Sequence, residues 1–447
     1  MKTGILFFAI CNLIICNLQY SQNITNTLGS SGVFTLKDNA TTYLSLSQST
    51  GDLSLNRSLV LLNTTGSTTG LIYKGTERFL HNYGTTNLFL GINSGNFSMT
   101  GSFNTCVGLR TLFSNTTGRW NSAFGSNSLE NNNIGIHNSA FGLYSLNINN
   151  SGSWNSAFGS YSLQYNTTGS NNSAYGYYSL RSNTLGSENT AVGYQSLFSN
   201  TTNSGNTAIG WNALYLNTGY QNTAVGHHSL NTNSTGNYNT ALGYNAGSTI
   251  TTGANLTCIG IDANPSSPTA NDQITLGNQF VGTLRCNVQT ITSLSDARDK
   301  KNITELSLGL DFITKLHPRQ FNWDKREWYD DNVSDGSKMK EAPTAGFIAQ
   351  ELDSAQTTAG AEWLNLVLKD NPEKWEATYG NLLPVMVKAI QELKAEKDKE
   401  IVELKSENDE LKKQIEALKK VNDKVAKLEQ LINELTAVKN ISLTENK

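Results

Sequence analysis

A glycine returns every seventeen residues through the middle of this chain, and that spacing constrains the fold more than any other feature. Gly91, Gly108, Gly125, Gly142, Gly159, Gly176, Gly193, Gly210, Gly226, Gly243 and Gly260 close units of the form Asn-Ser/Thr-Ala-apolar-Gly, with variation in the first copy and one shorter interval of 16 from Gly210 to Gly226. Leu stands four residues after most of these glycines, as at Leu129, Leu146, Leu163, Leu180, Leu197, Leu214 and Leu230, and an Asn/Thr/Gly turn follows it. Such a unit is too short for a helix pair and lacks helical periodicity. It suits two short strands and two turns, one coil of a parallel β-roll or β-solenoid. Glycine serves the backbone conformations that turns need, and Asn tolerates left-handed geometry. Each coil offers only Ala, one of Val, Phe or Ile, and Leu for burial, too little to offset chain entropy in a single thin roll. Chains are therefore expected to associate, and a trimer lets three rolls share one apolar core.

Composition divides the 447 residues sharply. Tyr83 to Gly260 holds five charged residues (Arg110, Arg119, Glu130, Arg181, Glu188), whereas Ser295 to Lys447 holds 53 of the 69. A net charge of -3 with no basic block gives no electrostatic footprint for nucleic acid. Residues 1–22 carry Lys2, an apolar run from Ile5 to Cys16 and the small Ser21, the layout of a secretory signal peptide. No later stretch is long and apolar enough for a membrane span. Outside the signal stand Cys106, Cys258 and Cys286, an odd number that argues against a disulfide framework. Cys106 and Cys258 fall where the repeat usually has Ala, as small buried apolar residues do. His81, His137, His227, His228 and His317 show no ligand spacing with the cysteines, so neither a metal nor a cofactor is expected. The rings near the glycines, including Tyr144, Tyr161, Tyr177, Tyr178, Tyr194, Trp211 and Tyr244, read as covers for coil edges and grooves between copies, with a ligand-stacking stripe as the alternative.

From Asn87 to Ile261 the unit resembles the head repeats of trimeric autotransporter adhesins, and that resemblance implies a left-handed parallel β-roll wound as a homotrimer and used for surface attachment. The sequence departs from those heads in its longer unit and in having no C-terminal outer-membrane barrel.

After Ser295, Pro318, Pro343, Pro372 and Pro384 punctuate mixed α/β segments. From Pro384 to Lys439, Val387, Ile390, Ile401, Leu404, Leu411, Ile415, Leu418, Val425 and Ile432 fall on two heptad positions, which predicts a coiled coil. Asn408 and Asn422 occupy one of those positions, and Val421, Leu428 and Leu435 widen the apolar face toward more than two strands. The alternative is one amphipathic helix packed on its own domain.

The segment Ser295-Asp296-Ala297-Arg298-Asp299-Lys300-Lys301 stands at the compositional boundary. Downstream come Gly309-Leu310-Asp311-Phe312-Ile313, then Lys315-Leu316-His317-Pro318 with Phe321 and Trp323, then Gly346 through Leu352, and Tyr379 through Leu383. This ordered set closely resembles the intramolecular chaperone auto-processing domain at the C-termini of phage tail fibres and endosialidases, and of a membrane-tethered myelin transcription factor. The resemblance implies a domain that trimerises the fibre ahead of it and then cuts itself free before a serine, using a Ser/Lys dyad. Ser295 and Lys300 match the dyad, and the implied scissile bond is Leu294-Ser295. A serine hydroxyl needs a base, and a lysine serves as one only when desolvation or a nearby cation favours the neutral amine. Arg298 and Lys301 are the nearby cations, and trimer burial would desolvate. The alternative has Ser295 capping a turn with Asp296 and Lys300 solvated.

The expected organisation is a signal at 1–22, a β-rich region at 23–86, the repeat shaft at 87–261, a connector at 262–294, the chaperone module at 295–383, the coiled coil at 384–439 and a tail at 440–447. The expected function is that of an exported homotrimeric fibre, secreted, on a cell surface or on a virion, that cleaves itself. The alternative is a non-cleaving structural or adhesive fibre that keeps the module as a trimerisation cap. An enzyme acting on an external glycan lacks a carboxylate pair, because Glu130 and Glu188 lie coils apart. Its partners are copies of itself, and no motif names a receptor.

Overall fold

The computed structural model describes residues 33–37, 42–47, 52–55, 61–84, 86–285 and 295–444. The signal peptide, Leu294 and Cys286 lie outside these residues. Two compact units are present, one up to Ser204 and one from Gly205 onward. Both contribute turns of a β-solenoid, about eleven in all.

In the first unit, Val33–Lys37, Thr42–Ser47 and Leu53–Leu55 form a small antiparallel sheet. A hairpin of Ile72–Lys74 and Glu77–His81 then lies antiparallel on Leu88–Leu90, covering the open edge of the first coil. From Leu88–Leu90 onward every pairing is parallel and in register. Phe89 lies beside Cys106, Cys106 beside Ala123, and Ala157 beside both Ala140 and Ala174. In the second unit Thr207–Ile209, Thr223–Val225, Thr240–Leu242, Thr257–Ile259 and Ile274–Leu276 continue the same pattern. Ala is buried at the centre of most of these strands, Phe89 takes that place in the first, and Cys106 and Cys258 are buried free thiols in the same file.

Each coil has one strand of three residues, not the expected two. The second apolar point, Leu, is fully buried but sits in a turn with left-handed backbone, φ 49° at Leu129, Leu146, Leu163 and Leu180. A bulky residue pays on the order of 1–3 kcal/mol for that conformation. Burying its side chain returns about the same amount, so the corner stays a turn and no second ladder forms. The repeat glycines are required by space as well as by conformation. Gly142 has φ 141°, and a Cβ there would stand 2.6 Å from the Gly159 carbonyl carbon.

Asparagines do more than turn the chain. Asn121, Asn138, Asn155, Asn172, Asn189, Asn206 and Asn222, one before each strand, are fully buried. So are Asn115, Asn132, Asn149, Asn166, Asn183 and Asn200 at the opposite corner. In the second file Asn166 Nδ2 donates to Asn149 Oδ1 at 2.8 Å and to the Gly169 carbonyl at 2.9 Å, and its neighbours repeat the pair. With so little apolar volume per coil, these ladders hold neighbouring turns in register.

Rings stack from coil to coil. Phe124, Phe141, Phe158 and Tyr175 follow one another at 4.7, 4.7 and 5.0 Å, pointing outward from the strands. The same outward position holds Ile209, Leu242 and Ile259, all exposed, in the second unit. At another corner the rings of Phe103, Trp120, His137 and Trp154 stack nearly parallel, with interplanar angles of 14°, 11° and 10°. Tyr144 stacks on Tyr161 at 5.5 Å and Tyr177 on Tyr194 at 5.8 Å. Rings in such files turn their faces to each other and their edges to water.

The C-terminal module is built on Phe312, Leu316, Leu352, Ala361, Leu364, Leu366, Val367, Leu382 and Val385. Its elements are a short helix Leu310–Ile313, strands Arg319–Phe321 and Thr344–Gly346, helix Ala349–Thr358, and a hairpin of Val367–Leu368 with Glu376–Ala377. A 62-residue helix, Leu383–Thr444, follows. Only its first turns pack on the module, through Val385 and Ala389. Ile401, Leu404, Leu411, Ile415, Leu418, Val425 and Ile432 are all exposed, so beyond its start the helix does not pack on its own domain. Between these stretches, the spacing that would place core residues meets Lys394 and Lys397, which pair with Asp398 and Glu400 at 2.9 and 2.6 Å. No helix among the described residues is long and apolar enough to cross a membrane.

Candidate functional site: the Ser295–Lys300 turn

Six residues make the turn. Asp296 has extended backbone and caps a single 3-10 turn, Ala297–Asp299, accepting the Arg298 N–H at 2.9 Å. The Lys300 N–H closes the turn on the Ala297 carbonyl at 3.2 Å. Extended backbone resumes at Lys300, and its side chain folds back over Ser295. Nζ lies 2.5 Å from the Ser295 Oγ and 3.4 Å from the Ser295 carbonyl oxygen. Both residues are exposed in the single chain. A hydroxyl and an amine at this distance can exchange a proton once the amine is neutral.

Two details differ from the sequence reading. Asp296, not Ser295, caps the turn, which leaves the serine hydroxyl to the lysine. Arg298 does not act as a bare cation near Lys300. Its guanidinium grips Asp296 at 2.5 Å, and that hydrogen bond holds the Asp296 carboxyl below its usual range while raising Arg298. The charge is spent within the turn. Lys301 is exposed, as is His317 on its loop.

The motifs downstream meet in the module. The Tyr379 hydroxyl accepts the Phe347 N–H at 3.1 Å, and a Cβ on Gly346 would crowd that hydroxyl at 2.8 Å. Phe312 and Leu316 are core, and Arg319 forks onto Glu351 at 3.0 and 2.8 Å. Sequence reasoning missed Gln356, a buried amide whose Oε1 accepts the Leu366 N–H at 3.1 Å. It also missed Glu392, on the long helix, whose carboxylate accepts the Leu310 N–H at 2.7 Å and fills the space beside Gly309. Glu392 meets its partner 82 residues away and Gln356 bonds a backbone group ten residues on, so no helical or strand spacing marks either. Among the described residues no group of three His, Cys, Asp or Glu is placed to hold a metal ion.

Residues 295–361 match the family described as chaperone of endosialidase. The match begins at Ser295 and takes in the Lys300 turn, the Gly309–Ile313 segment and the Gly346–Leu352 segment. Comparison with curated proteins found no match, and comparison with solved structures found none either. A chaperone-of-endosialidase segment behind a β-solenoid fits an intramolecular chaperone in a fibre protein, and it suggests self-association.

Proposed function

We propose that this chain is an exported homotrimeric fibre whose C-terminal module assembles it and then releases itself by cutting Leu294-Ser295. The observation that carries the reading is the 2.5 Å approach of Lys300 Nζ to Ser295 Oγ at the first residue of the chaperone match. In the reaction Lys300, as the neutral amine, takes the Ser295 proton while Oγ attacks the Leu294 carbonyl. The C–N bond breaks, the serine nitrogen leaves as an amine with that proton, and an ester joins Leu294 to Oγ. Water opens the ester: its oxygen joins the Leu294 acyl carbon, one of its protons goes to Oγ and the other to the freed Ser295 amine, leaving a Leu294 carboxylate, a serine hydroxyl and an N-terminal ammonium.

Self-association is supported by the bare heptad seam of the long helix and by the outward apolar file of the solenoid, where Leu242 and Ile259 are 49% and 39% exposed. Assembly also supplies the desolvation that the exposed dyad needs. Cutting then follows trimer formation. Arg298 is held by Asp296 and both dyad residues are exposed in the single chain, so the unassembled turn lacks burial, and this observation favours the non-cleaving fibre as the second reading.

The test is electrophoresis and mass analysis of the expressed chain. Two fragments parting at Leu294-Ser295 are expected, with Ser295→Ala and Lys300→Ala left whole. An intact wild-type chain in an assembled trimer would rule out self-cleavage. A chain ending at Leu294 is expected to aggregate when made alone, because near-identical coils slip in register and parallel pairing is slow. The same fragment released by cleavage is expected to sediment as a soluble trimer.

A further inference from the structure

The solenoid ends on Ile274–Leu276, and Gln273 precedes that strand where a buried Asn precedes the strands up to Thr240–Leu242 and Leu256 precedes Thr257–Ile259. The equivalence is visible in the backbone. Thr257 N–H donates to the Gln273 carbonyl at 2.9 Å just as Ser156 N–H donates to the Asn172 carbonyl at 2.8 Å. Within the ladder, each such Asn offers its Oδ1 to the next coil, as Asn239 does to the Leu256 N–H at 3.0 Å. Gln273 has no further coil to serve. Its Oε1 accepts the Ser266 N–H and hydroxyl, both at 3.0 Å, and its Nε2 donates to the Ser266 hydroxyl at 2.7 Å. The remaining reach of Nε2 goes outside the solenoid, to Asp370 Oδ2 at 3.0 Å, and the Ser266 hydroxyl touches the same oxygen at 3.4 Å.

Asp370 belongs to the C-terminal module, on the tip of the Val367–Leu368 and Glu376–Ala377 hairpin, beyond the residues that match the chaperone family. The tip is held from both sides. Lys369 Nζ grips Asp353 at 2.5 Å, and Asn371 Oδ1 accepts the Glu373 N–H at 3.0 Å in a turn that runs through Pro372. Its carboxylate is therefore presented by a fixed hairpin.

We propose that the module recognises the shaft by its last coil, with the Asp370 carboxylate standing at the C-terminal edge of the solenoid and holding the Ser266–Gln273 pair. This rests on reading the module as a chaperone and names the segment it acts on. A parallel solenoid exposes an unpaired edge at each end. A fixed acceptor at the C-terminal end orders one coil, and each ordered coil templates the next toward the N-terminus. Because the contact is non-covalent, it survives a cut at Leu294-Ser295, and the freed module stays seated until it is displaced.

The test is hydrogen exchange on the full chain, read at Ser266, Asp272 and Gly277, whose amides are bonded within or from the last coil. In Asp370→Ala these amides are expected to exchange about tenfold faster, as the loss of one charge-assisted hydrogen bond predicts. Coils well before it keep their protection. Asp370→Asn, which retains an acceptor oxygen, is expected to stay near wild type. Unchanged exchange in Asp370→Ala overturns the proposal. A shaft-side variant guards against local misfolding of the hairpin. Gln273→Glu sets carboxylate against carboxylate and is expected to lose protection, and Gln273→Glu with Asp370→Lys is expected to regain it; equal exchange in the single and double variants also overturns the proposal. A truncated chain that folds alone would defeat the chaperone reading and leave these exchange rates as they are.

Discussion

Asn155 Nδ2 donates to the carbonyl of Gly169, at 2.9 Å, across a sequence distance of fourteen residues. The same side chain accepts the Asn172 N–H at 3.0 Å through Oδ1, so one amide satisfies two buried backbone groups of the next coil. Asn155→Ala strands both and is expected to lower stability by about 2–4 kcal/mol, read as a fall in the thermal midpoint. Asn155→Leu is expected to cost less than Asn155→Ala, because a leucine, Leu256, is accommodated fully buried at the equivalent place. Equal stability of Asn155→Ala and the parent chain would refute the ladder's role.

His81 predicts a pH dependence. It is buried, its Nε2 bonds the Ser94 carbonyl at 2.8 Å and its Nδ1 accepts the Tyr83 N–H at 3.3 Å, a pattern only the neutral ring satisfies. Burial lowers its pKa to about 4, the Ser94 carbonyl opposes that shift, and the Arg78 charge adds to it. The unfolded ring, near 6.5, therefore binds its proton first as the pH falls. Stability is full above about pH 6.5 and declines toward pH 4 by up to roughly 1.4 kcal/mol per pH unit. Thermal midpoints measured from pH 7.5 to 4.5 should show this slope, and His81→Gln should flatten it.

The two repeat cysteines should be silent toward alkylating reagents in the native protein. Burial raises both thiols, Cys258 to about 11 and Cys106 further. Peptide mapping after iodoacetamide at pH 8 should find Cys106 and Cys258 unmodified until denaturant is added. Early labelling of either would mean that the central file opens.

Asn408 tests the proposed coiled coil. It lies at a core position between Leu404 and Leu411 on the long helix. Asn408→Ile is expected to raise the thermal midpoint of the helical transition while broadening the distribution of oligomers in sedimentation. A lower midpoint would place this face outside any shared core.

Much of the solenoid could be read from spacing alone, since a glycine that returns with an Ala two residues earlier leaves few folds open. The substitution of Ala by Cys106 and Cys258 was equally legible, because identical neighbours define what a position must hold. The left-handed Leu corners were not. Propensity assigns φ above zero to Gly and Asn, and only the balance between burial and strain explains Leu163 at 49°. The buried Asn files were hidden for a related reason: Asn is common in turns, and nothing local distinguishes one that turns the chain from one that bonds across coils. In the Ser295–Lys300 turn, residue identity indicated which groups stand near each other. It did not show that Asp296 would claim Arg298, because the pairing depends on a single turn of 3-10 helix.

The short interval between Gly210 and Gly226 leaves the strands aligned, with Thr207 beside Thr223 and Ala208 beside Ala224. The missing residue comes out of the corner after Asn217, whose Nδ2 bonds the carbonyl two residues on, at Gly219, where Asn166 bonds three residues on, at Gly169. The ladder thus keeps count of strands and Asn rungs, and not of residues. That corner absorbs a change of coil length without disturbing the stack, so a residue lost there never reaches the strands on either side.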